Sequence, residues 1–334
     1  MTTVTLRSLR ASSLFHRDPH GLFVQQLLLR SSSISLQSHP TLRRLTSNSS
    51  TTSKTTTRPP NPLSKVNGPA STLPAPLDLP PRQPSQSYFP SYLFSLGKAY
   101  ASFYKTGVKN IYTNFQSSRP LQRSLDTQYR GSLAAAISAN ALSRSDFQLL
   151  HRNWHDIKRV PMFGLVFLIC GEFTPLVVIA LSNVVPWTCR IPKQIESDRR
   201  KLEERRSISF RNLTMEPPTR SGTEQLRRQQ LIHISWSLGL SSRIWDWLGG
   251  QYPGLPTGIL KGKVRRRVQY LEMDDKLIRE CGGVREMEEQ EVRMACVERG
   301  INVQGRSEGG VRTDLGAWLK SAEKAPIERL LLTR

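Results

Sequence analysis

The chain is short of acid, of cysteine and of apolar residues, and each shortage excludes something. Its 334 residues hold 26 Asp+Glu against 48 Lys+Arg, a formal net charge of +22. Four cysteines (Cys170, Cys189, Cys281 and Cys296) form no C-x-x-C pair, which argues against a zinc site and against a secreted disulfide framework. Apolar residues reach only 37%, below the usual share for a globular protein, and the mean hydropathy of −0.40 is too low for a many-helix transporter. No P-loop, dinucleotide fingerprint or G-x-S-x-G is present. His151 and His155 stand at i, i+4 without an H-E-x-x-H or a third ligand, and Asp274-Asp275 lacks the alternating ligands that calcium needs. No enzyme, no cofactor and no metal are expected.

What remains is basic, and unevenly so. Residues 1–77 contain nine Lys/Arg and one acid, Asp18. Within residues 1–30, Val4, Leu6, Leu9, Leu14 and Phe15 can share one helix side, with Arg7, Arg10 and Arg17 on the other. An acid-poor, Arg- and Ser-rich amphipathic start is the pattern of a mitochondrial transit peptide, with cleavage expected between positions 30 and 58. Residues 31–57 are Ser/Thr-dominated and residues 59–90 carry ten prolines, so 31–87 reads as a disordered linker unable to bury enough apolar surface. The aromatics from Tyr88 to Phe115, interleaved with Lys98, Lys105 and Lys109, predict helices over 88–159. These either lie at a membrane surface or pack as ordinary helices.

One apolar stretch stands out, VPMFGLVFLICGEFTPLVVIALSNVV over 160–185, with Glu172 its single charge. As one helix it would measure about 39 Å, enough to cross about 30 Å of hydrocarbon. It is expected to be a single transmembrane helix, led into by a polar helix that Ser143 and Asp146 cap. An ionised carboxylate at mid-membrane costs about 3 kcal/mol, and Pro175 removes a backbone donor. Glu172 and Pro175 thus read as a protonatable group beside a kink on a proton or cation pathway, or as an assembly contact with a neighbouring helix. One helix encloses no pore, so a pathway needs several copies or partner helices. The flanks carry four Lys/Arg before the stretch and seven after it, which puts the C-terminal part on the matrix side.

Residues 186–325 predict a helical, basic domain, followed by a tail over 326–334. Lys261, Lys263, Arg265, Arg266 and Arg267 crowd seven positions; they face solvent or a phosphate-rich partner. Two helices, Glu288–Arg299 and about Glu308–Lys320, flank a loop and turn Val292, Ala295, Cys296, Val311, Leu315 and Leu319 inward. That unit resembles the small SAP module, although a plain packing role is the simpler reading. The fold class is all-α: a disordered N-terminal region, one membrane helix and a helical matrix domain.

Three passages resemble the LETM (leucine-zipper/EF-hand transmembrane) family of mitochondrial inner-membrane proteins. They are LSRSDFQLLHRNWHDIKRVPMFGLVF; Glu172 and Pro175 followed by Asn183 and Pro186; and LKGKVRRRVQYLEMDDKLI with LGAWL some forty residues later. The resemblance covers about residues 95–325. It implies a single-pass inner-membrane protein with its C-terminal domain in the matrix, K⁺/H⁺ exchange with organelle volume control, and contact with mitochondrial ribosomes. Here the acid and proline stand three apart where the family has four, Ser182 replaces a proline, and no long coiled coil or EF-hand follows.

The leading expectation is cation (K⁺/H⁺) homeostasis by a homo-oligomer with Glu172 as the protonatable group. The alternative is a membrane anchor that meets ribosomal protein or rRNA through Lys261–Arg267. Inner-membrane lipids and other inner-membrane proteins complete the expected partners.

Overall fold

The computed structural model describes residues 65–80, 89–170, 184–213, 222–241 and 255–333. The chain divides into two units, 1–62 and 63–334, and all described residues belong to the second. The expected transit peptide, residues 31–64 and 81–87 of the expected linker, Glu172 and Pro175 lie outside the described residues.

Among the described residues the secondary structure is entirely helical. Helix α1 (Phe89–Tyr129) is about 60 Å long and buries Phe103, Ile111 and Leu125 while exposing Phe94, Val108 and Tyr112. Its inner face packs against α3 (Arg144–Cys170). The turn between them holds Arg130, Gly131 and Asn140 at positive φ and a short α2 (Leu133–Ser138), which Ser132 caps by accepting from the Ala135 amide. The predicted start of α3 forms as a reciprocal cap. The Asp146 amide donates to Ser143 Oγ at 3.2 Å, and the Ser143 amide donates back to Asp146 Oδ2 at 3.2 Å.

After the apolar stretch, a 3₁₀ turn (Trp187–Cys189) leads to α4 (Pro192–Arg211) and α5 (Arg228–Ser237). Proline at the first position of α4 leaves no orphan donor there. Helix α6 (Thr257–Glu280) forms the centre of the C-terminal part, and α5 and α9 (Ile327–Leu332) pack on it. The unit α7 (Glu289–Glu298) and α8 (Glu308–Ala322) lies within two residues of the boundaries that the sequence predicts. Val292, Ala295, Cys296, Val311, Leu315 and Leu319 do face inward, in one cluster with Ile278 and Met287. This supports the packing reading.

One expectation is corrected and a second is not confirmed. The linker expected over 31–87 includes residues that are anchored: Val66 is fully buried in the α7–α8 core. Asn67 donates to the Glu286 carbonyl at 2.9 Å and accepts from the Glu288 amide at 2.8 Å. Composition misses this because two or three side chains that find a waiting core can hold an otherwise polar segment.

The second is the single transmembrane helix over 160–185, which stays unconfirmed. Among the described residues no helix is long and apolar enough to cross a membrane. A straight helix from Val160 to Val185 would part its ends by about 38 Å. Instead Asp156, one turn before the stretch, accepts from the Trp187 amide at 2.6 Å just after it. Phe163 packs against the cluster of Ile111, Val185 and Cys189. The two ends of the stretch are neighbours.

Gly107 makes this junction possible. A Cβ there would lie 2.7 Å from Cys189 Sγ and 3.0 Å from the Thr188 carbonyl oxygen, closer than atoms tolerate. Gly107→Ala should cost about 1–3 kcal/mol and raise the reactivity of the buried Cys189 thiol towards a disulfide reagent. Gly97→Ala, with open space around it, should be neutral or slightly stabilising.

Candidate functional site

The five cations on α6 do not form one patch. Successive residues on a helix turn by about 100°, so seven positions wrap almost twice around the axis. Lys261 donates to Glu224 Oε2 at 2.8 Å, and Arg265 stands 3.8 Å from Glu224 Oε1. Hydrogen bonding by Lys261, with its charge and that of Arg265, holds the Glu224 carboxyl below its usual range. Lys263 turns inward and donates to the Leu240 carbonyl at 2.9 Å, just past Gly239 at φ +64°. Burial and the neighbouring Arg266 push its ammonium below the ordinary lysine value. Arg267 lies over the Tyr270 ring, 5.4 Å from its centroid.

Arg265 and Arg266 are the two that stand exposed, and Arg266 donates only along its own helix, to the Gly262 carbonyl at 3.2 Å. The face open to a polyanion is therefore Arg265 and Arg266, edged by Lys261. Lys263 and Arg267 hold the domain together.

Sequence reasoning missed the main electrostatic feature, a buried ion network joining α3 to α6 and α7. Arg144 donates to Asp274 Oδ1 at 2.8 Å, to Glu291 Oε2 at 3.1 Å and to the Val66 carbonyl at 2.6 Å. Arg152 grips Glu291 with two nitrogens, at 2.6 and 2.9 Å, and also donates to Thr72 Oγ1. Arg299 bonds Asp274 Oδ2 at 2.7 Å and Asp275 Oδ1 through Nε at 2.8 Å. Gln148 reaches Asp274 Oδ1 and the Tyr270 hydroxyl, Tyr270 donates to Glu298 Oε2, and Trp318 donates to Asp275 Oδ2.

Burial penalises every charge here, so pairing must outweigh it. For Asp274, burial pushes the carboxyl up, but Arg144 and Arg299 outweigh it and hold it well below the usual range. Glu291 is likewise held low against burial by Arg152 and Arg144. Glu298 goes the other way: burial raises it, and Arg267 only partly offsets that. Burial, with Arg267, His155 and Arg152 close by, lowers the His151 imidazole to about 3. His151 lies against Tyr270, ring centroids 4.3 Å apart. A signal for this network existed in the sequence: Arg144, Gln148 and Arg152 recur at i, i+4, i+8 on the α3 lead-in. It reads as a solvated face unless the partner helix is known.

These charges are paired with one another, with Arg152 Nε the one buried donor of the network left without a partner among the described residues, which makes the network a brace rather than a reaction centre. Among the described residues, no group of three or more His, Cys, Asp or Glu could hold a metal ion. His155 instead lies 3.1 Å from Asp156 Oδ1. Glu172 and Pro175 lie outside the described residues, so only the flanks of their stretch have a place here.

Comparison with known proteins adds one match. The family model described as "LETM1-like, RBD" covers residues 222–334, from Gly222 beside the Glu224 turn through α5–α9. Neither a curated protein nor a solved structure matches the chain. The matched region contains the exposed Arg265–Arg266 face and the acidic half of the buried network, Asp274, Asp275, Glu291 and Glu298. The residues that complete the network, Arg144 and Arg152, come from outside it. Residues 222–334 therefore carry a LETM1-like domain, and the LETM-like passage of the α3 lead-in packs against it.

Proposed function

We propose that this is a mitochondrial protein that holds ribosomes near a membrane, with α5–α9 as the ribosome-binding part and the 160–185 stretch as the membrane attachment. The observation that carries this reading is the family match on residues 222–334. It coincides with the exposed Arg265 and Arg266 on α6. rRNA is a dense line of phosphates, and guanidinium groups meet phosphate bidentately. The acid-poor N-terminus and the net charge of +22 support a mitochondrial address and a polyanionic partner.

The test is co-sedimentation of the protein with mitochondrial ribosomes across a salt series. Arg265→Glu with Arg266→Glu should weaken association at least tenfold. It should also flatten the salt dependence, since each phosphate left unneutralised removes about one counterion from the slope. Arg267→Glu should act through stability instead, because Arg267 packs on Tyr270 and faces Glu298. Sedimentation unchanged by the double reversal would overturn the assignment of this face.

A second reading, cation (K⁺/H⁺) homeostasis, is favoured by Glu172 as the one charge in an otherwise apolar stretch. It stands behind ribosome association because the family match falls on the basic domain and not on that stretch. Potassium-acetate swelling of mitochondria that lack the protein, rescued by wild type but not by Glu172→Gln, would move it to the front. Homo-oligomerisation belongs to this second reading, since one copy cannot enclose a pathway.

A further inference from the structure

The residues before and after the apolar stretch are not two bodies. Val66, from before it, sits in the same core cluster as Ile278, Met287, Val292 and Leu315, from after it. Arg144 and Arg152 are buried against Asp274 and Glu291. Asp156 caps the Trp187–Cys189 turn, accepting from the amides of Trp187 at 2.6 Å and Thr188 at 3.4 Å. A bilayer cannot lie between groups that share hydrogen bonds. Meanwhile the distal end of α3 leaves the body and exposes Val160, Met162, Leu165, Leu168 and Ile169, with Leu168 81% exposed. From Val160 to Cys170 that end reaches about 15 Å, the depth of one leaflet's hydrocarbon.

The base of this apolar end is ringed with the residues that favour an anionic headgroup layer. Lys158 lies over the Trp154 ring at 4.3 Å and Arg190 over the Trp187 ring at 5.2 Å, one pair on each side of the Asp156 junction. Indole rings and cations are enriched at this level of a membrane, and basic residues there are drawn to anionic lipid.

We infer that the chain enters and leaves the bilayer through the same face. The apolar end of α3 is seated in one leaflet of an anionic membrane, and residues 65–159 and 184–333 lie together on one side of it. This rests on the membrane-attachment part of the proposed function and replaces a single crossing with a one-sided insertion. In the mitochondrion both flanks would then face the matrix with the ribosome-binding part.

The experiment uses the full chain with phosphatidylcholine vesicles prepared with and without cardiolipin. Spin labels at Lys158→Cys and Lys193→Cys, both exposed positions, are placed in a background whose native cysteines are replaced, and their separation is measured by double electron–electron resonance. Flotation of the unsubstituted chain with the cardiolipin vesicles is expected, and at least tenfold weaker flotation without cardiolipin. The label separation should fall well below about 40 Å, the span that a straight crossing dictates. A separation near that span in floated protein overturns the one-sided insertion while leaving membrane attachment intact. Equal flotation with both vesicles overturns the headgroup contact. No flotation with either overturns the attachment itself.

External trypsin on vesicles carrying the unsubstituted chain gives a second readout, independent of the cysteine background. Both flanks should be cut, or both protected, in each vesicle population. Protection of one flank alone would refute the inference.

Discussion

Glu291→Gln should lower the free energy of unfolding by about 3–5 kcal/mol, the cost of leaving buried charges without their partner. Glu291 is fully buried and takes three hydrogen bonds from Arg144 and Arg152. The amide keeps the shape but not the charge, so Arg152 loses its ion-pair partner and Arg144 keeps Asp274, which Arg299 shares. Urea unfolding of the full chain measures this, with Glu289→Gln as the control. Glu289 pairs with Arg293 at 2.8 Å on a half-exposed surface, where an ion pair contributes less than about 1 kcal/mol. Replacing Arg144, Arg152 and Glu291 together by apolar residues of similar volume should recover much of the loss. If the single and triple variants are equally destabilised, the loss comes from packing and not from stranded charge.

The second large effect is on acid stability. The folded chain keeps His151 neutral down to about 3, while an unfolded imidazole takes its proton near pH 6.5. Because the unfolded state binds the extra proton, stability falls as pH drops from about 6.5 towards 3. Between pH 7 and pH 5 this contributes up to about 2 kcal/mol of lost stability.

His151→Phe, placed between Phe147 and Tyr270, should remove that part of the pH dependence and leave the part owed to His155 and His233. Both of those are also lowered by burial. Below about pH 4 the carboxylates take over. Asp274 and Glu291 are held low in the folded state, so the stability they give is present above their unfolded values and is lost as pH falls through the folded ones. Glu298 works in the opposite sense, since its raised carboxyl favours the folded state on the acid side. Unfolding free energies for wild type and His151→Phe that run parallel from pH 7 to pH 5 would rule out His151 as the cause.

The sequence by itself determined the helices and their local ends. Leucine and valine at helical spacing define α7 and α8 with their inward faces, because periodicity depends only on neighbours along the chain. Ser143 and Asp146 mark the start of α3 for the same reason. The LETM-like passages, confined to particular residues, point to the same family as the model that matches residues 222–334.

What the sequence left undecided depends on pairs far apart in the chain. Arg144 meets Asp274 across 130 positions and Arg152 meets Glu291 across 139. Nothing local distinguishes these four residues from solvated charges on a helix surface. The α6 cluster shows the converse, for density along the chain predicted one patch, while the turn of the helix sent Lys263 and Arg267 inward and left Arg265 and Arg266 outside.

Hydropathy counts length and cannot see where a stretch begins and ends in space. It reads residues 160–185 as a crossing, which no helix among the described residues is long and apolar enough to confirm. Only tertiary structure brought Asp156 to Trp187 and Val66 to Ile278. The reason is physical: buried amides and carboxylates must find partners wherever the chain can supply them, and here the partners of one flank lie on the other.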